Sequence, residues 1–207
     1  GTVLDSRFLE QDMYEVALDR ELAASYDTVC TYRVSHNQVT DQMKSGRCWL
    51  FSTFNILRDE MIKKHDMGHF EFSQTYGMFW DILEKSNRFL ENVIDNRKKP
   101  IDSRMNAWLF MKPIGDGGHF ANAAHIIDKY GVVPQEVMPE RHSSLDNKWL
   151  MNLVRTSLRR YGLKLREADV KDIQSVKEKA LADIYSILAH NLGLPPTEFE
   201  WTLKDKY

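Results

Sequence analysis

The sequence predicts an α+β fold in which helices predominate. Apolar residues recur at helical spacing along several stretches, short stretches alternate in the manner of strands, and Gly and Pro separate the two kinds. The 207-residue chain is 43% hydrophobic and 28% charged, as is ordinary for a globular protein. It is long enough to bury a sizeable core, as one domain or as two small ones.

The strongest helical pattern begins just after Gly46. No Gly or Pro interrupts the chain from there to Gly68. We therefore expect a long, mostly buried helix that begins near Cys48 and ends near Lys64. The apolar residues at roughly helical spacing are Trp49, Leu50, Phe51, Phe54, Ile56, Leu57, Met61 and Ile62.

Further helices are predicted on both sides of this one. Weak periodicity marks residues 12–24, and an aromatic stripe of the kind found in cores marks residues 73–94. The remaining predicted helices are 102–111, which ends before Pro113; 121–130, with Gly131 at its end; 148–160; and 170–192, with Gly193 at its end.

Two short stretches predict strands. Residues 28–34 alternate β-branched and polar side chains, and Cys30 inside them is expected to be a packed thiol. Residues 199–202, Phe-Glu-Trp-Thr, look like the start of another strand. The chain offers this second stretch nothing to pair with, which favours an incomplete domain.

Charge and composition argue against several classes of function. The formal net charge of −2 gives no reason to expect nucleic-acid binding, and no apolar run approaches the roughly 18 residues of a membrane span. The N-terminus has no signal-peptide core, and Cys30 and Cys48 form no disulfide framework. We therefore expect a cytoplasmic protein. No set of ligands closes around His65 and His69, so we expect no metal and no cofactor.

The candidate catalytic residues lie in one stretch, Asp41-Gln-Met-Lys-Ser-Gly-Arg-Cys-Trp-Leu-Phe51. A cysteine in the first turn of a helix lies beside unpaired N–H groups and the positive end of the helix dipole, which stabilise a thiolate. The neighbouring Arg47 either adds to this stabilisation or points to solvent. Gln42 lies six residues upstream, so its amide can fold back and bind a developing oxyanion together with the Cys48 N–H. We predict Cys48 as nucleophile and Gln42 as its catalytic partner.

A second informative stretch is Pro113-Ile-Gly-Asp-Gly-Gly-His-Phe120. Three glycines within four positions indicate a backbone that another group approaches closely, or several positive φ angles. The spacing of phosphate-binding glycine loops is absent. A bare turn is the alternative interpretation.

The Gln-x₅-Cys-Trp pattern resembles the active-site segment of papain-like cysteine peptidases. Within that group, Gln42-Met-Lys-Ser-Gly-Arg-Cys-Trp-Leu-Phe51 is similar to the bleomycin hydrolase and aminopeptidase C branch. Residues 72–76, 79–91 and 130–140 also resemble this branch. The resemblance extends from about Asp12 along nearly the whole chain, but it covers only the first half of a family member. It implies a papain-like fold, mainly the helical lobe with a helical insertion, with the β lobe largely absent.

The resemblance also implies a role for the glycine-rich turn. Gly117 and Gly118 would bind the backbone of an extended peptide, with Asp116 in the same substrate-binding turn. His119 and Phe120 would border the pocket for the second residue of the substrate. The family has Gln-Trp where this chain has these two residues.

Papain-like chemistry also needs a His to activate the thiol and an Asn to orient that His. His190 lies at a suitable distance along the chain, but within a helical run and with no Asn-Ser-Trp-Gly segment after it. We therefore expect the remainder of the same protein to supply both residues. The chain is then either part of a longer protein or a nucleophile-bearing half that alone is catalytically poor.

By resemblance the chain is part of a cysteine-type aminopeptidase that acts on peptides and assembles as a homo-oligomer, a hexamer in the family. Two alternatives stay open: an inactive half-domain that serves in assembly or interaction, and an endopeptidase or other amide hydrolase with the same fold. The expected divisions are an extended N-terminal segment (1–40), a nucleophile-bearing helical lobe (41–147), a helical insertion (148–193) and the start of the β portion (194–207).

Overall fold

The computed structural model describes residues 12–27, 29, 31 and 39–202, and the chain divides into two compact units, residues 1–36 and 37–207. In the first unit the described residues form two short helices, α1 (Met13–Ala17) and α2 (Arg20–Ser25), which bury no residue. The predicted strand at 28–34, with its Cys30, lies outside the described residues apart from Val29 and Thr31.

The second unit is helical, and most of its helices lie where periodicity predicts them. They are α3 (Cys48–His65), α4 (Gln74–Asn96), α5 (Arg104–Met111), α6 (Phe120–Tyr130), the single turn α7 (His142–Leu145), α8 (Lys148–Glu167) and α9 (Ile173–Leu192), with a 3₁₀ turn at Val170–Asp172. In the part of the chain that is described, no helix is both long and apolar enough to cross a membrane.

Local sequence explains where several of these helices begin and end. The Ser73 hydroxyl caps α4 by accepting a hydrogen bond of 3.0 Å from the Tyr76 N–H. Asp66, with a φ of 50°, ends α3 in the left-handed conformation. Gly131 and Gly193, with φ angles of 74° and 96°, follow α6 and α9, because glycine adopts positive φ without a steric penalty.

Helix α8 continues past its predicted end at residue 160 because of tertiary packing. It includes Gly162, a residue that weakens helix interiors by about 1 kcal/mol relative to Ala. A Cβ atom on Gly162 would lie 2.9 Å from the ring of Phe110, which belongs to α5. The glycine therefore allows α5 and α8 to approach each other, and the surrounding contacts keep the helix intact.

The main core lies where α4, α8 and α9 meet. Phe79, Leu158 and Ile184, one from each helix, have no exposed surface. The two helices of the predicted insertion, α8 and α9, therefore share one core with α4, the helix that follows α3. Burial of such side chains stabilises a fold by about 1.5–3 kcal/mol each.

A second core cluster lies beneath α3. One face of α3 forms it, because Leu50, Phe54 and Ile62 are separated by four and eight positions and lie on the same side of the helix. These side chains pack with Phe70. The expectation that Ile56 belongs to this buried face is wrong, since 65% of its surface is exposed. Two residues correspond to about 200° around a helix, so Ile56 lies on the opposite side from Phe54.

The predicted strand at residues 199–202 is also wrong. Trp201 instead packs its ring against Phe70, with the centroids 5.3 Å apart. A strand needs a neighbour to accept and donate its backbone hydrogen bonds, and these residues have none in the described structure. Nor does the β part of the predicted α+β class occur among the described residues, which contain only two isolated β-bridges, Lys44 with Asp146 and Phe72 with Pro134.

Candidate active site

Cys48 is the first residue of α3, and this free cysteine is exposed. The prediction that it lies at the start of a long helix is therefore confirmed. The Leu50 and Phe51 amides donate to the carbonyl of Arg47, the residue before the helix, at 2.9 and 3.0 Å. The Cys48 N–H has no acceptor among the described residues, so it is free to bind a developing negative charge.

The loop ahead of Cys48 is folded into a compact turn. The Asp41 carboxylate accepts a 2.7 Å hydrogen bond from the Met43 N–H, and Met43 has a φ of 51°. The Ser45 hydroxyl donates to the Gln42 carbonyl at 2.6 Å. The Gln42 side chain is partly buried, and its Oε1 atom has no hydrogen-bond partner within the described structure. The Gln42 side chain thus belongs to a compact turn, and its amide oxygen, an acceptor, is left unpaired within the described structure.

Arg47 is buried in an ion pair, which sequence reasoning did not predict. Its Nη1 and Nη2 atoms donate to Glu140 Oε1 and Oε2 at 2.9 and 3.0 Å, and its Nε donates to Ser45 Oγ at 2.8 Å. Only 1% of its surface is exposed, and its guanidinium lies over the Phe51 ring. Of the two alternatives left open for Arg47, the one in which its side chain points to solvent is wrong, and the Glu140 carboxylate neutralises its charge. Arg47 therefore fixes the start of α3.

Asp116 connects the glycine-rich turn to the loop ahead of Cys48. Its Oδ2 accepts hydrogen bonds from the Gly46 N–H at 2.8 Å and from Asn147 Nδ2 at 2.9 Å. Burial acts to raise the pKa of Asp116, but the hydrogen bonds from Asn147 and Gly46 outweigh burial and hold this pKa below its usual value. A Cβ atom on Gly46 would lie 2.6 Å from the carboxyl carbon, so only glycine allows this approach.

Gly118, the second residue of the glycine pair, lies against the residue that follows Cys48. A Cβ atom on Gly118 would lie 2.7 Å from the Trp49 ring, whereas one on Gly117 would meet nothing within 4 Å. Trp49 Nε1 also donates to the Asp116 carbonyl at 3.1 Å. The close approach predicted from the glycines is therefore found at Gly118, and Trp49 of α3 makes it.

His119 and Phe120 follow directly at the start of α6, and both are exposed. The His119 N–H donates a hydrogen bond of 2.9 Å to Asn122 Oδ1, and this bond caps the N-terminus of α6. Their predicted place beside a substrate pocket stays a prediction.

Lys85 holds the glycine turn from the other side, and sequence reasoning missed it. Its Nζ donates to Asp81 Oδ2 at 2.6 Å and to the Gly117 carbonyl at 2.8 Å. The same ammonium lies 5.3 Å from the centre of the Trp49 ring. The spacing of four residues between Asp81 and Lys85 on α4 signals their ion pair, but nothing in the sequence indicates the contacts with Gly117 and Trp49.

Burial raises the pKa of Asp81 from 3.8 to about 6, even though Lys85 acts to lower it. Between those two pH values the folded protein holds a proton that the unfolded chain has released. The contribution of Asp81 to the free energy of unfolding therefore decreases by up to about 3 kcal/mol as the pH rises from about 4 to 6. Above about pH 6 this contribution no longer changes with pH.

This pH dependence is expected in the difference between the unfolding free energies of wild type and Asp81→Asn, measured by urea denaturation from pH 4 to 7. The substituted amide cannot ionise, so the difference should shift in favour of the variant as pH rises. Asp128→Asn is the control, because the exposed Asp128 side chain forms no hydrogen bond or ion pair in the described structure. A difference that is independent of pH, or that shifts the other way, would show that Asp81 is not desolvated.

No hydrogen bond joins Cys48 to a histidine among the described residues. His190 lies on α9, where its Nδ1 approaches the Ser186 carbonyl at 2.6 Å within the same helix. His36 lies outside the described residues. Across the described ranges no three His, Cys, Asp or Glu side chains form a group that could hold a metal ion.

The site therefore consists of a free, exposed cysteine at the first position of α3 and a glycine turn that Trp49 of the same helix contacts. The model of the Peptidase C1-like family matches residues 2–207, and the chain belongs to this family.

Named relatives agree with this membership. Aminopeptidase C of Listeria monocytogenes is 40% identical over 184 residues, which cover 88% of this chain and 42% of that protein. Bleomycin hydrolase of Rattus norvegicus is 33% identical over 204 residues, which cover 94% of this chain and 45% of that protein. The resemblance to the bleomycin hydrolase and aminopeptidase C branch is therefore confirmed.

The fold also matches a solved structure. PepW from Lactobacillus rhamnosis HN001 superposes with a TM-score of 0.91 at 36% identity, covering 97% of this chain and 46% of that one. The chain thus spans less than half the length of these three relatives.

Proposed function

We propose that this chain is the nucleophile-bearing part of a cysteine-type aminopeptidase. The proposal rests on one observation: the free, exposed Cys48 is the first residue of α3, and the ring of the next residue, Trp49, packs against Gly118. Relatives named Aminopeptidase C and Bleomycin hydrolase support a peptidase. The expected substrate is a peptide with a free N-terminus.

In the proposed reaction the Cys48 thiolate attacks the scissile carbonyl carbon and forms a tetrahedral intermediate. The Gln42 amide and the Cys48 N–H donate hydrogen bonds to its oxyanion. Collapse forms a thioester and releases the amine, which takes its proton from an imidazolium. Water then hydrolyses the thioester and regenerates the thiol. The His and the Asn that orients it lie outside this chain segment and belong to the remainder of the same protein.

The glycine turn aligns the substrate in this proposal. Gly117 and Gly118 hold the extended peptide by main-chain hydrogen bonds, as an added strand would be held. His119 and Phe120 border the pocket for its second residue. Asp116 acts through the backbone of the turn, because its carboxylate is already bonded to Gly46 and Asn147.

Assembly as a homo-oligomer, a hexamer by family resemblance, and a cytoplasmic location belong to the same proposal. Sedimentation velocity of the complete product of the source gene tests the assembly. A single species of six chains agrees with the proposal, and a monomer contradicts this part of it.

The test of the reaction compares matched peptides with free and acetylated N-termini as substrates of the complete gene product. Release of the first residue from free peptides alone is the expected result. Internal cleavage of the acetylated peptides would favour the endopeptidase alternative. Hydrolysis of neither would favour the inactive half-domain that serves in assembly.

Gln42→Ala is expected to lower kcat by about 10²–10³-fold with little change in KM, because an oxyanion donor acts mainly in the transition state. Steady-state kinetics of the complete gene product with a free dipeptide amide measure the effect. Gln174→Ala, on the exposed start of α9, is the matched control and should keep wild-type kcat. A loss of less than about threefold in Gln42→Ala would remove this residue from the oxyanion site.

A further inference from the structure

Asn147, the residue directly before α8, is buried, with 5% of its surface exposed. An Asn at this position usually caps its helix, because the side-chain oxygen accepts a hydrogen bond from an N–H of the first turn. The Asn147 side chain makes no such bond. Its Nδ2 instead donates to Asp116 Oδ2 at 2.9 Å, although Asp116 lies 31 positions earlier in the chain. The Asn147 amide therefore binds a distant segment and not its own helix.

Asp116 joins Asn147 to the loop ahead of Cys48. The carboxylate oxygen that accepts from Asn147 also accepts from the Gly46 N–H at 2.8 Å. Burial acts to raise the pKa of Asp116, and among the groups that lower this pKa Asn147 contributes most. The carboxylate is therefore charged near neutral pH, and hydrogen bonds to a charged oxygen are stronger than those to a neutral one. Without the Asn147 amide, we expect this partly buried charge to turn toward water and away from Gly46.

The segment that contains Asn147 holds the same loop at a second point. The Lys44 N–H donates to the Leu145 carbonyl at 2.9 Å, and Lys44 and Asp146 form a parallel β-bridge. The bond to Leu145 joins main-chain atoms, so it does not depend on the identity of either side chain. Of these two attachments, the one at Gly46 is therefore the one that a single side-chain amide controls.

We propose that Asn147 is a positioning residue for the oxyanion site and acts through Asp116 on Gly46. The two proposed oxyanion donors lie on either side of Gly46, since Gln42 precedes it by four residues and Cys48 follows it by two. A loop held at Gly46 keeps both donors in place, and a displacement of about 1 Å can lower a rate by about 100-fold. The inference rests on the proposed peptidase function and names a residue on which its oxyanion site depends.

Asn147→Leu in the complete gene product removes the donor and keeps a side chain of similar size. It is expected to lower kcat for a free dipeptide amide by about 10–100-fold with little change in KM, because oxyanion contacts act mainly in the transition state. The rate of Cys48 alkylation by iodoacetamide should stay within about twofold of wild type, since this reaction forms no oxyanion. The ion pair of Arg47 with Glu140 still holds the start of α3 in this variant. A general disturbance of the fold would change the alkylation rate and KM as well.

A cycle with Gln42→Ala assigns the loss to the oxyanion site. In the Gln42→Ala background one of the two donors is already absent, so the loss caused by Asn147→Leu should be at least about threefold smaller than in wild type. Asn152→Leu is the matched control, because it places the same substitution at an exposed position of α8, and it should keep wild-type kcat. An equal loss in the two backgrounds, or a loss that appears mainly in KM, overturns the proposal.

Hydrogen exchange tests the attachment of the loop without any turnover. Amide exchange in peptic fragments that cover residues 42–48 should be at least about threefold faster in Asn147→Leu and unchanged in Asn152→Leu. Asn147→Ala is the second variant if Asn147→Leu does not fold, since it removes the same donor without placing apolar atoms beside the carboxylate. Unchanged exchange overturns the proposal whether or not peptides are hydrolysed. Faster exchange in a protein that hydrolyses no peptide supports the attachment by Asn147 and contradicts the proposed function alone.

Discussion

Replacement of Cys48 by Ser in the complete gene product is expected to lower kcat for peptide hydrolysis by at least about 10⁴-fold. A serine hydroxyl is far less ionised than a thiol near neutral pH, and the helix N-terminus does not compensate for that difference. Steady-state assays with a free peptide measure the loss. Because Cys48 is exposed, the free energy of unfolding should change by less than about 0.5 kcal/mol.

Cys30→Ser provides the control, since Cys30 is the other cysteine of this sequence. Its kcat is expected to remain near that of wild type. Retention of more than about 1% of wild-type kcat by Cys48→Ser would contradict nucleophilic catalysis by Cys48. Equal losses in the two variants would assign the effect to folding.

Replacement of Arg47 by Met is expected to destabilise the protein by about 3 kcal/mol. Breaking a buried ion pair usually costs about 3–5 kcal/mol, because the remaining charge stays buried and unpaired. The Glu140 side chain keeps 18% of its surface exposed, which favours the lower end of that range. Urea denaturation monitored by circular dichroism measures the change.

The matched control is Lys63→Met, which removes an exposed pair with Glu60 at 3.8 Å on the same helix. Its effect should lie within about 0.5 kcal/mol. Adding Glu140→Gln to Arg47→Met should recover part of the lost stability, since it removes the orphaned carboxylate. Similar effects of the Arg47 and Lys63 substitutions would show that the buried pair does not stabilise the start of α3.

The positions where several helices start and end could be predicted from the sequence. The helix that begins at Cys48 and the helix ends at Gly131 and Gly193 follow from spacing and from the backbone freedom of glycine. These features depend on residues close together in the chain, so short-range patterns determine them.

The features that were missed depend on distant segments. Arg47 meets Glu140 across 93 positions, and the Gly46 amide meets Asp116 across 70. Lys85 bonds to the Gly117 carbonyl only because α4 packs beside the glycine turn. Sequence patterning indicates which residues are buried but not which buried charges pair, since tertiary packing decides that.

The proposed acyl transfer to Cys48 can be observed by mass spectrometry of the complete gene product, quenched with acid during turnover. The predicted result is a transient adduct equal in mass to the acyl part of the substrate, located by peptide mapping on the tryptic fragment that contains Cys48. Substrate consumed with no such adduct, or an acyl group found on another residue, would contradict the account.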